Sequence, residues 1–129
     1  MGIHVAWKNN NHTVLVWTFD GRWDWEMLCE ASEQATELRR KLDYRKEIVT
    51  ILDLTSASPV QTGQLMLSLP RPVEIVNQSY DTVVLAGREA FNQKMLATLR
   101  RLGVELGDSV VSVASLPEAL HVASEHNAY

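Results

Sequence analysis

Residues 47–63, EIVTILDLTSASPVQTG, decide the fold of this chain. The stretch opens with an apolar, mostly β-branched run that is typical of a strand buried on both faces. This run consists of Ile48, Val49, Ile51 and Leu54. The sequence then changes to small polar residues, which predicts a central parallel strand that ends in a loop. Ligands and partners of open α/β sheets meet the loops at the carboxyl ends of such strands. The first candidates for a functional site are therefore Asp53, Thr55, Ser56, Ser58 and Thr62.

On the amino-terminal side, two strands and a helix precede this stretch. Alternating apolar residues predict a strand over residues 3–7, and residues 14–19 return as a second strand after an Asn-rich turn. The two strands form an antiparallel hairpin. Asp24 can cap the following helix, whose apolar positions recur at helical spacing. These positions are Trp25, Leu28, Ala31, Ala35, Leu38 and Leu42.

On the carboxyl-terminal side, helices and strands alternate. Residues 61–69 are apolar enough for a short helix, which Pro70 and Pro72 must end. Strands are predicted over residues 82–86 and 109–113, and each leads into a helix with an apolar stripe. Gly103 stops the first of these helices, and an S-x-x-E capping box, Ser115 and Glu118, starts the last one.

The predicted order is β-β-α-β-α-β-α-β-α, without a linker or an internal repeat. Strands that alternate with helices imply parallel pairing through right-handed crossovers, and the opening strand joins antiparallel at one edge. We therefore expect a single α/β domain over residues 1–129. The edge strand over residues 3–7 has unpaired backbone groups and an apolar face, so it can pair with a second copy in a homodimer.

Composition restricts the class of partner. The formal charge of −4 argues against nucleic acid, because phosphate binding needs a basic face and none is concentrated here. Cys29 is the single cysteine, which excludes an internal disulfide and fits a reducing compartment. The sequence shows neither a charged-then-apolar leader nor an apolar run of about 18 residues, so we expect a cytoplasmic protein without a membrane span.

The usual signatures of catalysis and cofactor binding are missing from the sequence. No two of the four histidines stand at the i, i+4 spacing of a metal pair, and no serine lies in a G-x-S-x-G elbow. Gly87 follows its strand alone, without the glycine series of a dinucleotide site. We therefore predict no enzyme activity, no metal and no cofactor.

Asp53 and Trp23 each allow two interpretations. Asp53 superficially resembles the phosphoacceptor of receiver domains, but the acidic pair and the lysine that those domains also need are missing, so a turn or capping acceptor is favoured. A further alternative is an enzyme that uses Asp53 as a base or as a phosphate acceptor. Trp23 is expected to staple the entering chain against the first helix. As an alternative, its large amphipathic ring anchors a partner.

The order of elements, the antiparallel opening strand and the Asp53-Leu54-Thr55 tripeptide resemble the STAS family, the domains of anti-sigma factor antagonists and of sulfate transporter tails. In that family, a second motif, Asp-Ser-(Ser/Thr)-Gly, carries a serine or threonine that a partner kinase phosphorylates. Gln61-Thr62-Gly63 stands at this place, so Thr62 matches the acceptor position. Gln61 replaces a small hydroxyl residue, the second aspartate is missing, and the loop is one residue shorter.

The resemblance implies a non-enzymatic protein-interaction module of bacterial signalling whose partner is a kinase-type anti-sigma factor. Thr62 would be the phosphoacceptor and Gly63 a further contact. A phosphate adds roughly −1.5 to −2 charges, which a helix amino terminus tolerates and a close-fitting acidic partner does not. The alternative is that the same fold holds a small molecule or lipid between helix and sheet.

Overall fold

The computed structural model describes residues 2–10, 12–41, 48–58, 82–101, 103–104, 106–107 and 109–125, and the structural statements below refer to these residues. They form an α/β structure with a five-stranded mixed sheet. The strands are β1 (Gly2–Trp7), β2 (Val14–Gly21), β3 (Val49–Ala57), β4 (Thr82–Ala86) and β5 (Ser109–Val113). Three helices lie within the described ranges: α1 (Trp25–Arg40), α2 (Glu89–Arg101) and α3 (Leu116–Glu125). None of these helices is long and apolar enough to cross a membrane.

The strands follow one another across the sheet in chain order, from β1 to β5. β1 and β2 pair antiparallel, whereas β2, β3, β4 and β5 are parallel neighbours. The predicted mixed sheet, with its antiparallel opening strand at the edge, is therefore confirmed. The predicted helix over residues 61–69 lies outside the described residues, as do Thr62 and Gly63.

The hairpin turn between β1 and β2 is held by the side chain of Asn9. Its Oδ1 accepts hydrogen bonds from the backbone N–H groups of Thr13 and Val14, both at 3.1 Å. His12 has a φ of 55°, and its ring stacks on Trp7 with the centroids 5.0 Å apart. The polar run therefore forms the predicted turn, with the Asn9 side chain bonding locally. The described residue of this run with left-handed backbone is His12, however, and not one of the asparagines.

β3 is longer than the sequence predicts. The small polar residues after Leu54 were expected in a loop, but the strand continues to Ala57. The register with β2 shifts here, from Thr18 opposite Asp53 to Asp20 opposite Ser56. One extra residue of β3 is accommodated at this irregularity, as in a β-bulge, so pairing with β2 continues beyond it.

The sheet carries a hydrophobic core cluster on each face. On one face, residues of α1 and α2 pack with alternate residues of the strands, among them Leu15, Trp17 and Phe19 of β2. On the other face, Ala119 and Ala123 of α3 pack with the intervening strand residues. Those strand residues are Val14, Val16, Val49, Ile51, Val84 and Ala86. Since β2, β3 and β4 contribute to both clusters, they are buried on both sides, as expected for parallel strands.

Helix α1 begins at the residue that the sequence predicts. Asp24 is its N-cap, and Oδ1 of Asp24 accepts a hydrogen bond from the backbone N–H of Met27 at 2.8 Å. Trp25, Leu28, Ala31 and Ala35 are buried as predicted. Cys29 is also buried, with a free thiol. Leu42, the last member of the predicted stripe, is outside the described residues.

Candidate functional site

Four of the strand-end residues that the sequence singles out lie toward the carboxyl end of β3 or directly after it, whereas Thr62 is outside the described residues. We use the name β3 exit for Asp53, Thr55, Ser56 and Ser58. Asp53 stands between Thr18 of β2 and Ala86 of β4 in the sheet register. Its side chain shares the sheet face of Ile51 and is largely buried, with 8% of the residue exposed. The carboxylate therefore sits within the fold and not on a mobile loop.

The Asp53 carboxylate is bonded to its own strand. Oδ1 of Asp53 accepts a hydrogen bond from the backbone N–H of Thr55 at 3.1 Å and a second from Thr55 Oγ1 at 2.6 Å. A short polar side chain that bonds to the backbone two residues on forms an Asx-type turn. Asp53 is therefore the turn acceptor that the sequence favours, and both bonds shape the exit of the strand.

The residues after Thr55 are held by β2. Ser56 pairs with Asp20, Ala57 pairs with Gly21, and the backbone N–H of Ser58 donates to Gly21 O at 2.9 Å. Thr55 and Ser56 are nevertheless exposed, and Ser58 is half-buried. The β3 exit therefore presents hydroxyl side chains to the outside from a backbone that the sheet keeps in place.

A second polar group lies at the ends of β4 and β5, and the sequence analysis did not anticipate it. Asn92 of α2 is 1% exposed, and its side-chain Nδ2 has several oxygen acceptors within hydrogen-bonding distance. They are Ser112 Oγ at 2.9 Å, Gly87 O at 3.0 Å, Val113 O at 3.1 Å and Leu85 O at 3.3 Å. The signal was present in the sequence, because Asn92 stands three and seven residues before the buried Met95 and Leu99.

The Asn92 amide fastens α2 to two strands. Since an NH₂ group has two hydrogens, it shares them among its acceptors on β4, β5 and the turn at Gly87. Ser112 Oγ also donates to Glu89 Oε2 at 3.1 Å, and the backbone N–H of Gly87 donates to Val113 O at 3.0 Å. This network sets the relative positions of the strand ends beside β3. We regard it as a support of the sheet edge and not as a contact for a ligand.

Trp23 lies in the core, not on the surface. It is 5% exposed, and its ring meets Phe19 edge-to-face with the centroids 5.3 Å apart. It belongs to the same cluster as Leu28. This position fits a residue that staples the entry of α1, whereas a partner contact through the ring would require the ring to leave the core.

Within the described part of the chain, three indole groups of this core have no hydrogen-bond acceptor. They are the Nε1 groups of Trp17, Trp23 and Trp25, and each of these residues is at least nine-tenths buried. A buried donor without a partner costs about 1–3 kcal/mol. The core beneath α1 thus contains unused hydrogen-bond donors within an otherwise apolar cluster.

Among the residues that the structure describes, no three His, Cys, Asp or Glu side chains stand together as a metal-binding group. Comparisons of the chain with protein-family models, curated proteins and solved structures give no match. The STAS resemblance therefore stays a hypothesis from the sequence.

Proposed function

We propose that this protein is a non-enzymatic binding module that contacts a protein partner through the β3 exit. The observation that carries the proposal is the pair of hydrogen bonds from Thr55 to Asp53 Oδ1, at 3.1 and 2.6 Å. They use the carboxylate to shape the strand end, while Thr55 and Ser56 remain exposed on a paired backbone. A preorganised surface of this kind loses little conformational entropy on binding.

The same bonds weigh against a catalytic role for Asp53. A Thr hydroxyl at 2.6 Å from a carboxylate has the distance of a nucleophile and its base. However, a nucleophile–base pair also needs a group that orients the base and donors for the developing charge. In the described part of the chain, both donors to Asp53 come from Thr55 itself, so the local turn accounts for the contact.

The finer part of the proposal follows the STAS resemblance. In this view, the module acts in the cytoplasm in bacterial signalling, its partner is a kinase-type anti-sigma factor, and Thr62 accepts the phosphate. The antiparallel opening pair and the Asp53-Leu54-Thr55 strand end support this assignment. Thr62 follows the β3 exit in the sequence, so its phosphorylation would add negative charge to the chain that leaves the proposed contact.

A matched pair of substitutions tests the binding surface. Ser56→Arg places bulk and charge on the β3 exit. Ser124→Arg makes the same change at an exposed position near the end of α3. Since α3 starts beyond the carboxyl end of β5 and packs back along the sheet, Ser124 lies away from the β3 exit. Proteins retained from a lysate of the source organism by the parent and both variants are identified, and the retained protein is purified for titration calorimetry.

A partner that binds the parent and Ser124→Arg but not Ser56→Arg supports the proposal. Equal binding by all three contradicts it, and so does a parent chain that retains no protein. Thr62→Glu, examined beside them, tests the switch separately. Loss of the same partner with Thr62→Glu supports the phosphoacceptor role, whereas unchanged binding argues against that role and leaves the binding surface standing.

A second candidate function, binding of a small molecule or lipid, is favoured by the three unpaired indole donors of Trp17, Trp23 and Trp25. A ligand with a carbonyl or carboxylate oxygen, held between α1 and the sheet, would supply the acceptor that these groups lack. Native mass spectrometry tests this function. An added mass that disappears on denaturation, and that Trp17→Phe reduces while Trp7→Phe does not, supports a ligand, and the mass of the chain alone contradicts it.

A further inference from the structure

The outer side of β1 is open in the described part of the molecule, because β1 is the first strand of the sheet order and pairs with β2 only. The backbone N–H of Lys8 donates to Val14 O at 2.8 Å, and that of Val49 donates to Thr13 O at 2.9 Å. The backbone N–H and C=O groups of even-numbered residues of β2 therefore point toward β1, and those of odd-numbered residues point toward β3. In an antiparallel pair, bonded and non-bonded positions alternate. The N–H and C=O groups of Ile3, Val5 and Trp7 consequently point away from β2, toward the open edge.

β1 lacks the features by which proteins usually block an open edge. Such features include a charged side chain, a proline and a bulge. Residues 2–7, GIHVAW, contain no proline and no Asp, Glu, Lys or Arg. The register with β2 runs from Gly2 opposite Asp20 to Trp7 opposite Leu15 without a shift. The edge is therefore free of bulges and of Asp, Glu, Lys and Arg side chains, which is the form that accepts another strand.

The side chains of β1 add an apolar row beside these backbone groups. Ile3, Val5 and Trp7 are half-buried and pack against the core cluster that contains α1. His4 and Ala6, on the other face, are exposed. A strand added at this edge would extend the apolar row on the α1 side and leave the opposite face, with His4 and Ala6, exposed to water.

We propose that a second copy of this chain pairs with β1 antiparallel, about a two-fold axis at Val5, so that one sheet continues through a homodimer. Val5 then lies opposite Val5 of the second copy, and Ile3 lies opposite Trp7. Every outward-facing N–H and C=O of Ile3, Val5 and Trp7 finds a partner in this register. The proposal concerns a different part of the sheet from the β3 exit and does not rest on the proposed function.

Neighbouring registers satisfy the edge less well. An axis at His4 leaves Trp7 beyond the end of the opposing β1 and sets the two His4 side chains against each other. An axis at Ala6 leaves Ile3 opposite residues beyond the opposing strand. The register about Val5 also separates the two Lys8 side chains, because each lies opposite Gly2 of the other copy. It further forms aromatic to β-branched pairs, Trp7 with Ile3, which favour antiparallel pairing.

Trp7 supplies a spectroscopic reporter for this interface. The other three tryptophans, Trp17, Trp23 and Trp25, are at most 5% exposed, whereas Trp7 is partly exposed beside His12. Quenching of tryptophan fluorescence by iodide therefore reports mainly on Trp7. Pairing at β1 covers this ring, so quenching should weaken as the protein concentration rises through the range of dimerisation.

The first experiment is sedimentation equilibrium of the full chain over a range of concentrations. The parent is expected at twice the mass of the chain. Val5→Pro is expected at the mass of one chain with stronger iodide quenching, because proline removes an outward N–H and leaves the bonds to β2 intact. Val5→Thr keeps the N–H and a β-branched shape, and it should remain a dimer. A parent that stays monomeric, or a Val5→Pro protein that stays dimeric, overturns the proposal.

A charge exchange tests the register and does not depend on proline being tolerated. Val5→Lys and Val5→Glu each place two like charges opposite one another at the axis, so each protein alone should be monomeric. Mixed in equal amounts, they should form a heterodimer that high salt weakens. A mixture that remains monomeric while both proteins keep the circular dichroism of the parent overturns the axis at Val5.

Discussion

The side-chain Oδ1 of Asn92 lies 2.9 Å from the point that a Cβ atom on Gly87 would occupy, and Leu54 Cβ lies 3.3 Å from the same point. A Cβ atom closer than 3.0 Å to Asn92 Oδ1 would force the surrounding atoms to move. Asn92 and Leu54 do not move easily, because the Asn92 amide is bonded to two strands and Leu54 is buried in the core. Gly87 is therefore needed for close packing at the turn into α2, and not for an unusual backbone angle.

Gly87→Ala should lower the free energy of unfolding by about 1–3 kcal/mol, the usual cost of overpacking a filled site. Urea denaturation followed by circular dichroism measures the change. Gly103→Asn is the matched control, since a Cβ on Gly103 meets nothing within 4 Å and asparagine tolerates its φ of 80°. The control should lose about 1 kcal/mol or less, from backbone strain alone, because asparagine is among the few non-glycine residues that adopt left-handed backbone readily. Equal losses would show that packing against Asn92 and Leu54 is not the cause.

Asn92→Leu should destabilise the protein by about 1–3 kcal/mol, because the buried acceptors on β4 and β5 lose their donor. Leucine has the same branched arrangement of heavy atoms as asparagine but is larger, so the loss combines the missing hydrogen bonds with some overpacking. Gln93→Ala removes an exposed contact with Glu89 on the same helix and should change stability by less than about 0.5 kcal/mol. Denaturant midpoints of the three proteins make the comparison, and an unchanged midpoint for Asn92→Leu would refute the role of the network.

Thr55→Val removes the hydroxyl that donates to Asp53 at 2.6 Å and keeps a β-branched side chain suited to a strand. We expect a loss of about 1 kcal/mol, since the Asp53 carboxylate is mostly buried and keeps one of its two donors. Thr55→Ser retains the hydroxyl, so its free energy of unfolding should differ from that of the parent by roughly a few tenths of a kcal/mol. Thermal unfolding of both variants decides between a bond that stabilises the β3 exit and one that does not.

Asp24→Ala should cost about 1 kcal/mol, because the N-cap carboxylate satisfies the backbone N–H of Met27 at the start of α1. Asp24→Asn keeps a side-chain oxygen in the same place and should retain most of the stability. If the alanine and asparagine variants unfold at the same temperature, the charge of Asp24, and not its hydrogen bond, supports the helix. The comparison requires only the thermal midpoints of three proteins.

Local patterns in the sequence predicted the elements that depend on near neighbours. The Asp24 cap, the Asn-rich turn and the central strand that the run from Ile48 predicts each depend on residues within a few positions, so the sequence alone predicts them. The end of β3 was misplaced because the strand continues through pairing with Gly21, more than thirty positions earlier. Polar residues such as Ser56 are typical of a loop unless another strand satisfies their backbone.

In the candidate site, too, the sequence predicted the residues that bond locally and missed those whose partners are distant in the chain. The sequence favoured Asp53 as a turn or capping acceptor, because aspartate bonds readily to nearby backbone N–H groups, and the structure shows such a bond from Thr55. It did not identify Asn92, whose partners Leu85 and Val113 come from two strands that only folding brings together. The alternative roles of Trp23 could not be separated either, since the ring's burial depends on how α1 lies against β2.

The sequence by itself thus determined the order of the strands and helices that the structure describes, the Asp24 cap and the Asn-rich turn, because these follow from periodicity and short-range hydrogen bonds. The tertiary structure decided where β3 ends, that Asn92 links α2 to two strands, and which backbone groups of β1 face outward. Those features depend on pairing between residues far apart in the chain. Such pairing leaves no mark on any one segment of the sequence.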